Sequence, residues 1–316
     1  MINILVVGSG NIGSRHIQGL VKSNKKKFIH IVETSYKSKI NTIKRIKDIN
    51  SNFNNYKFYE NIPIINKKLN LIIISTKNGP RLRILKKILS TCTFKNIILE
   101  KICFKNIKEF LEADKLLRLN KKVAYINFSR REFKFYKELK KKLNFKKTIF
   151  FQVSGNFNLG SNLVHFLDLL DFLNIKFNIK NLTTSNIKYK ILDSKYLNIS
   201  GNIFIQSANG VYFNFCDNNK VKDCIIKIVT EENFLVINET MQTCEIQSRK
   251  NKINLDYKHE YISDNSKAYV KKGKFIKNID INLNTIHQSL DIHKKLFQIM
   301  KRVYKENNIN KKYIIT

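Results

Sequence analysis

Ile4-Leu5-Val6-Val7-Gly8-Ser9-Gly10-Asn11-Ile12-Gly13-Ser14-Arg15-His16-Ile17 is an apolar run, a glycine-rich turn and the start of a new periodic segment. It reads as a buried strand, a tight turn and a helix N-terminus. Gly8 permits the turn, Gly10 leaves room for a pyrophosphate against the backbone, and Gly13 allows helix and strand to pack closely. The first-turn amides, at Asn11 and Ile12 among others, then face the phosphates. About 20 residues beyond Gly13, Glu33 ends a second apolar run, Phe28-Ile29-His30-Ile31-Val32, at the place where such sites hold the adenine ribose. A carboxylate there accepts both ribose hydroxyls and repels a 2′-phosphate, so NAD is expected rather than NADP.

Working outward, the same alternation repeats. Leu69 to Ser75 is an apolar run leading into Ser75-Thr76-Lys77-Asn78-Gly79-Pro80 and a helix from Arg81 to Leu89. Asn96 to Leu99 ends in Glu100-Lys101-Ile102, and Lys122 to Phe128 ends in Ser129-Arg130-Arg131. Strands alternating with helical patterns predict an α/β fold with a doubly wound parallel sheet, whose ligands bind at the carboxyl ends of the strands. Ser75, Thr76, Asn78 and Glu100 thereby join the cofactor candidates. Arg130 and Arg131 become candidates for holding a carboxylate or phosphate bidentately.

Beyond about Phe150 the pattern changes to one apolar helix, Asn162 to Leu173, and then short alternating strands. Ile203 to Gln206 and Val211 to Phe215 flank Asn209-Gly210, a hairpin signal. The expected division is a Rossmann domain over 1–124 and an α+β domain over 125–316 with a mainly antiparallel open sheet and a closing helix over 283–303. An open sheet face suits a homodimer or homotetramer.

The chain has 316 residues and 43% hydrophobic content, enough for two folded domains, and a formal net charge of +35. Lysines are spread along the whole chain and no nucleic-acid motif accompanies them, so a solvated basic surface is expected, with no specific nucleic-acid partner. Cys92, Cys103, Cys216, Cys224 and Cys244 form no CxxC pair and no metal-ligand spacing with the histidines, so reduced thiols and no metal are expected. The opening apolar run stops at Gly8 without signal-peptide flanks, and no stretch approaches the roughly 20 apolar residues of a membrane span. A cytoplasmic protein is the expectation.

These residues resemble the glucose-fructose oxidoreductase, inositol dehydrogenase and MocA family of nicotinamide-dependent sugar oxidoreductases. The resemblance rests on the Gly8 to His16 fingerprint, Glu33, the Ser75-Thr76 strand end, Glu100-Lys101 where the family carries Glu-Lys-Pro, and the histidine helix at His165. Two positions depart from the pattern: Ile102 stands for the proline, and Ser161 for an aspartate four residues before the histidine. A branch associated with surface-sugar and nonulosonic acid pathways is similar around Asn162 and His165 and around Asn127 to Arg131. The resemblance implies hydride transfer between NAD and a sugar carbinol. Some members keep the dinucleotide site but act as ligand sensors, which is the alternative.

Oxidising a carbinol needs a base, and Lys101 serves if its pKa falls toward neutrality. Burial and a positive nicotinamide ring both push it that way. Asn162, His165 and Asp168 are spaced three apart on an otherwise apolar helix, so Asp168 is expected to orient or charge-pair the imidazole; His165 joins Lys101 as a catalytic candidate, and Lys101, Asn162, His165 and Asp168 are candidates for binding substrate. Lys101 and His165 are expected to converge between the domains. His16, His287 and His293 are read as structural.

Overall fold

The computed structural model describes residues 1–192, 195–258, 262–271, 282–310, 312 and 314–315. It contains two units, one formed by 1–132 with 260–290 and the other by 133–259 with 291–316. The single cut expected at 124/125 is thus replaced by an exchange of segments: the chain leaves the first unit at 132 and returns to it before ending in the second.

In the first unit, strands β1 (Ile2–Val7), β2 (Lys27–Val32), β3 (Tyr56–Tyr59), β4 (Ile65–Ile74), β5 (Cys92–Leu99) and β6 (Ala124–Ile126) form one sheet in the order β3-β2-β1-β4-β5-β6. Every pairing is parallel, as the near-continuous apolar runs require of strands covered on both faces. Helices α1 (Asn11–Val21), α2 (Tyr36–Lys47), α3 (Arg81–Thr91) and α4 (Ile107–Leu119) make the crossovers, except that β3 passes to β4 without a helix.

Register fixes the working edge. Val7 pairs with Val32 and Ile74, Ile74 with Leu99, and Leu99 with Ile126. The next residues, Gly8, Glu33, Ser75, Glu100 and Asn127, therefore stand in one row at the carboxyl edge. Their amides continue the ladder: Gly8 N donates to Val32 O, Ser75 N to Val7 O, Glu100 N to Ile74 O and Asn127 N to Leu99 O, each at 2.9–3.0 Å. Five positions far apart in sequence become neighbours for this reason alone.

The returning segment supplies α7 (Ile262–Lys271), which packs on α1 and adds Tyr269 and Val270 to the core of Ile4, Val6, Ile17 and Leu20. The closing helix expected from 283 begins later, as α8 (Leu290–Glu306). Thr285 instead bridges Tyr125 in antiparallel fashion, with Ile126 N donating to Asn284 O and Ile286 N to Ala124 O. Backbone that reads as helical by pattern is spent here covering the edge of β6.

In the second unit, α5 (Lys134–Lys142) precedes β7 (Thr148–Gly155) and α6 (Leu159–Phe172). The strands β8 (Ile179–Leu192), β9 (Tyr196–Ser207), β10 (Tyr212–Asp217), β11 (Cys224–Thr230), β12 (Asn233–Asn238), β13 (Thr243–Ser248), β14 (Lys252–Asp256) and β15 (Ile314–Ile315) follow. The sheet runs β14-β13-β12-β11-β7-β10-β9-β15 with β8 against β9. Its pairings are antiparallel except β7 with β10 and β9 with β15. Burial alternates with period two, so Ile203, Phe213, Phe215, Ile226 and Ile228 enter the core. On the other face Tyr212 and Phe204 remain 53% and 41% exposed. At the Asn209-Gly210 hairpin Gly210 takes φ +83 and donates to Ser207 O, while Ser207 N donates to Val211 O. This is a three-residue loop closed by a left-handed glycine.

Candidate active site

The glycine turn is shaped by what it cannot accommodate. Gly8 has φ +86, and a Cβ there would sit 2.9 Å from Thr76 Cγ2. A Cβ on Gly13 would lie 1.9 Å from Gly8 O and 2.6 Å from Ser75 Oγ, so only glycine lets α1 approach the strand ends. At Gly10 a Cβ meets nothing within 4 Å. The turn is braced from behind: Ser75 Oγ donates to Gly8 O at 2.6 Å, Thr42 Oγ1 to Ser9 O at 3.1 Å, and Arg45 Nη1 to Asn11 O at 2.9 Å. Ser14 N closes the first helical bond to Gly10 O, so the amides before it, at Asn11, Ile12 and Gly13, have no intrahelical acceptor.

A cavity of about 540 Å³ in this unit is lined by Gly8, Glu33, Thr34, Glu60, Thr76 and Arg83 among others. Glu33 Oε2 accepts from Ser9 N at 2.7 Å and from Ser9 Oγ at 3.2 Å, and Oε1 accepts from Ser35 N at 2.9 Å. The carboxylate is thereby locked at the end of β2. Among the described residues, the buried Thr76 Oγ1 has no protein partner although it lies at this wall. A free hydroxyl, open space over Gly10 and unspent amides fit a dinucleotide. Gly8, Gly10, Asn11, Ile12, Gly13, Glu33 and Thr76 are the residues that would hold it. Ser75 acts beneath the turn, and Asn78 is buried in the loop before α3, with its carbonyl accepting from Arg81 N.

Glu100, expected at the cofactor, is instead turned inward. Its Oε1 lies 2.8 Å from His16 Nε2 and accepts from Asn127 Nδ2 at 2.5 Å. Burial by itself would raise the carboxyl's pKa; the hydrogen bonds from His16 and Asn127 and the His16 charge outweigh it and hold it below the usual range. Ser266 Oγ donates to Ile262 O at 2.9 Å, which leaves it to accept from His16 Nδ1 at 2.7 Å. Tyr269 OH donates to Asn127 Oδ1 at 3.1 Å, which joins α7, α1 and the ends of β5 and β6 in one buried network. His16 was readable only as a polar residue on the inward face of α1; Ser266 and Tyr269 carried no signal, because α7 follows some 130 residues of the other unit.

Lys101 follows Glu100 and is partly buried. Burial, opposed by the Glu100 charge and assisted by those of Arg130 and Arg81, pulls its pKa down to about 8. Arg130 and Arg131 lie on a 3-10 turn, Ser129–Glu132, directly after β6; Arg131 is buried and Arg130 partly exposed.

In the second unit, α6 is apolar nearly all round and buried accordingly. Asn158, with φ 60, opens it without a side-chain cap. The cap comes from the end of β10: Asp217 Oδ1 accepts from Phe157 N at 3.0 Å and Asn158 N at 3.1 Å, and Oδ2 accepts from Leu159 N at 2.8 Å. A carboxylate at a helix N-terminus satisfies orphan amides and complements the dipole. Sequence reasoning passed over Asp217, because a strand-end aspartate gives no sign of which helix it will meet. Asn162, expected to face substrate, turns its amide back to Phe157 O at 2.6 Å. His165 is partly buried, whereas Asp168 is wholly buried and presents no surface to a substrate.

Residues 2–128 match the model of an oxidoreductase family described as having an NAD-binding Rossmann fold. The match covers less than half of the chain; it agrees with the fingerprint and gives this segment the NAD-binding Rossmann fold of that description. No curated protein matches the chain. Solved structures extend the likeness in fold to nearly the whole length. UDP-N-acetylglucosamine 3-dehydrogenase from Acidithiobacillus ferrooxidans has a TM-score of 0.70 at 10% identity, over 94% of this chain and 96% of that one. An oxidoreductase from Agrobacterium radiobacter in complex with NAD+, L-tartaric acid and magnesium has a TM-score of 0.72 at 10% identity, over 95% of both chains. The super-repressor mutant of Gal80p from Saccharomyces cerevisiae has a TM-score of 0.71 at 13% identity, again over 95% of both. Among the described residues no helix is long and apolar enough to cross a membrane.

Proposed function

We propose that the protein is an NAD-dependent oxidoreductase that moves a hydride between the nicotinamide and a carbinol or carbonyl of a sugar or sugar derivative. The observation that carries this reading is the place of Lys101, two residues past the end of β5 and next to Glu100 in the row that includes the glycine turn, where its pKa is pulled down to about 8. NAD, when bound, supplies the hydride acceptor. Lys101 takes the hydroxyl proton, since its neutral form becomes well populated near pH 8. Arg130 and Arg131 attract an acidic or phosphorylated substrate. His165 is assigned the orienting of a substrate hydroxyl; that part rests on its place in the sequence and on the family resemblance. The biological setting proposed is surface-polysaccharide or nonulosonic acid synthesis in the cytoplasm. The exposed sheet face around Phe204 and Tyr212 is proposed to pair with a second copy.

One observation favours the alternative, an NAD-binding sensor without turnover: Ser161 stands where the family carries an aspartate, and its hydroxyl donates to Asn158 O at 3.4 Å. A panel of nucleotide sugars and free sugars, assayed for NAD reduction, separates the two. Reduction with any of them supports the enzyme. Sugar binding that alters NAD affinity without reduction supports the sensor.

A further inference from the structure

Arg81 is the first residue of α3, where the helix dipole disfavours a cation, and no acidic residue stands in that turn to offset it. It is nevertheless 2% exposed. A buried guanidinium at the positive end of a helix is doubly costly and persists only if something nearby consumes its donors. Here backbone carbonyls take the donors of both Nη groups. Nη1 faces Ile102 O at 2.7 Å, Cys103 O at 2.9 Å and Glu100 O, while Nη2 donates to Thr76 O. The chain from Glu100 to Cys103 is wrapped around one side-chain head. The same head ties that turn to the β4 strand end, whose Thr76 lines the cofactor cavity.

We infer that Arg81 is the positioning residue for Lys101: its planar fork gathers the carbonyls on either side of Lys101 into one turn and sets a permanent cation beside the ammonium. The inference rests on the assignment of Lys101 as the base. In this chain Ile102 cannot stiffen the turn by restricting φ as a proline would, so rigidity comes from hydrogen bonds made by a residue some twenty positions earlier. The fork suits the task as an ammonium does not, because its five donors lie in a fixed plane and reach carbonyls on two sides. The permanent charge also opposes protonation of Lys101, in the direction that burial already drives it.

The test needs no substrate. Brief acetylation across about pH 6 to 11, read by mass spectrometry at Lys101, reports the midpoint at which that amine becomes neutral. Hydrogen exchange over 100–103 reports the turn, and NADH titration with thermal melting checks the fold. In Arg81→Gln exchange in the turn is expected to be roughly tenfold faster, and the midpoint to move up only modestly from about 8, because burial and not Arg81 is the largest cause of the depression. In Arg81→Lys the charge remains and the fork is lost, so exchange rises similarly while the midpoint stays close to that of the parent. Parental exchange over 100–103 in a folded Arg81→Gln overturns the inference. If that variant does not fold, parental exchange over 100–103 in Arg81→Lys overturns it instead. A shifted midpoint together with full turnover after Lys101→Met would leave the positioning intact and remove Lys101 from the chemistry, so the two readings fail separately.

Discussion

The first unit builds its site with backbone; the second builds its own with a borrowed side chain. In the first, strand register alone lines up Gly8, Glu33, Ser75, Glu100 and Asn127, and the space left for Gly13 admits no side chain at all. In the second, the helix carrying His165 begins with uncapped amides and depends on Asp217 from the end of β10. The difference teaches which substitutions matter where. Damage to the first unit is steric and local to the turn, while damage to the second is electrostatic and arrives from a distant strand.

The largest effect is expected from Gly13→Ala. A Cβ 1.9 Å from Gly8 O forces α1 away from the strand ends, costing about 1–3 kcal/mol of stability by overpacking and abolishing measurable NADH binding by fluorescence titration. Gly10→Ala is its control. Nothing lies within 4 Å, so stability is expected within about 0.5 kcal/mol of the parent while NADH affinity still falls. Equal melting shifts in the two variants would break the claim that the turn is sterically determined.

Asp217→Ala probes the other unit. Losing a carboxylate that serves three amides is expected to cost about 2 kcal/mol in urea unfolding and to leave NADH affinity within a few-fold. A large loss of NADH affinity would show that the two halves are less independent than their construction implies.

These cases also explain what was legible beforehand. Gly8, Gly13, Glu33 and the strand ends were readable because the constraint acting on each lies within a few residues or within the strand-helix repeat. The alternation in β9 to β13 was readable for the same reason. Arg81, Asp217, Ser266 and Tyr269 were not, because each acts on a segment brought to it only by the completed topology. Glu100 and Asp168 show the converse. Their residue types suited a ligand, but Glu100 spends its carboxylate on His16 and Asn127, and Asp168 is sealed from solvent.

A smaller effect is expected at Glu33. Replacing it with Ala removes the acceptor at the end of β2 and loosens Ser9 and Ser35, so NAD should weaken roughly tenfold and NADP much less. Tighter binding of NADP than of NAD by the intact protein would contradict the assignment. The pH dependence is subtler still. Because the Lys101 pKa in the folded protein, about 8, lies below the ordinary 10.5, the unfolded chain holds a proton there that the native protein lacks. That site's unfavourable contribution to stability is therefore relieved as pH rises from about 8 to 10.5, and a Lys101→Met variant should lose this limb of the stability profile.

The most direct measurement is turnover of the parent and of Lys101→Met on whichever sugar reduces NAD, across pH, with NADH titrated in parallel. The parent's oxidation rate is expected to rise through about pH 8 as the ammonium loses its proton. The variant is expected to lose roughly 10²- to 10⁴-fold in turnover, together with that pH limb, while keeping NADH affinity within a few-fold. Near-parental turnover with the limb intact would contradict the account.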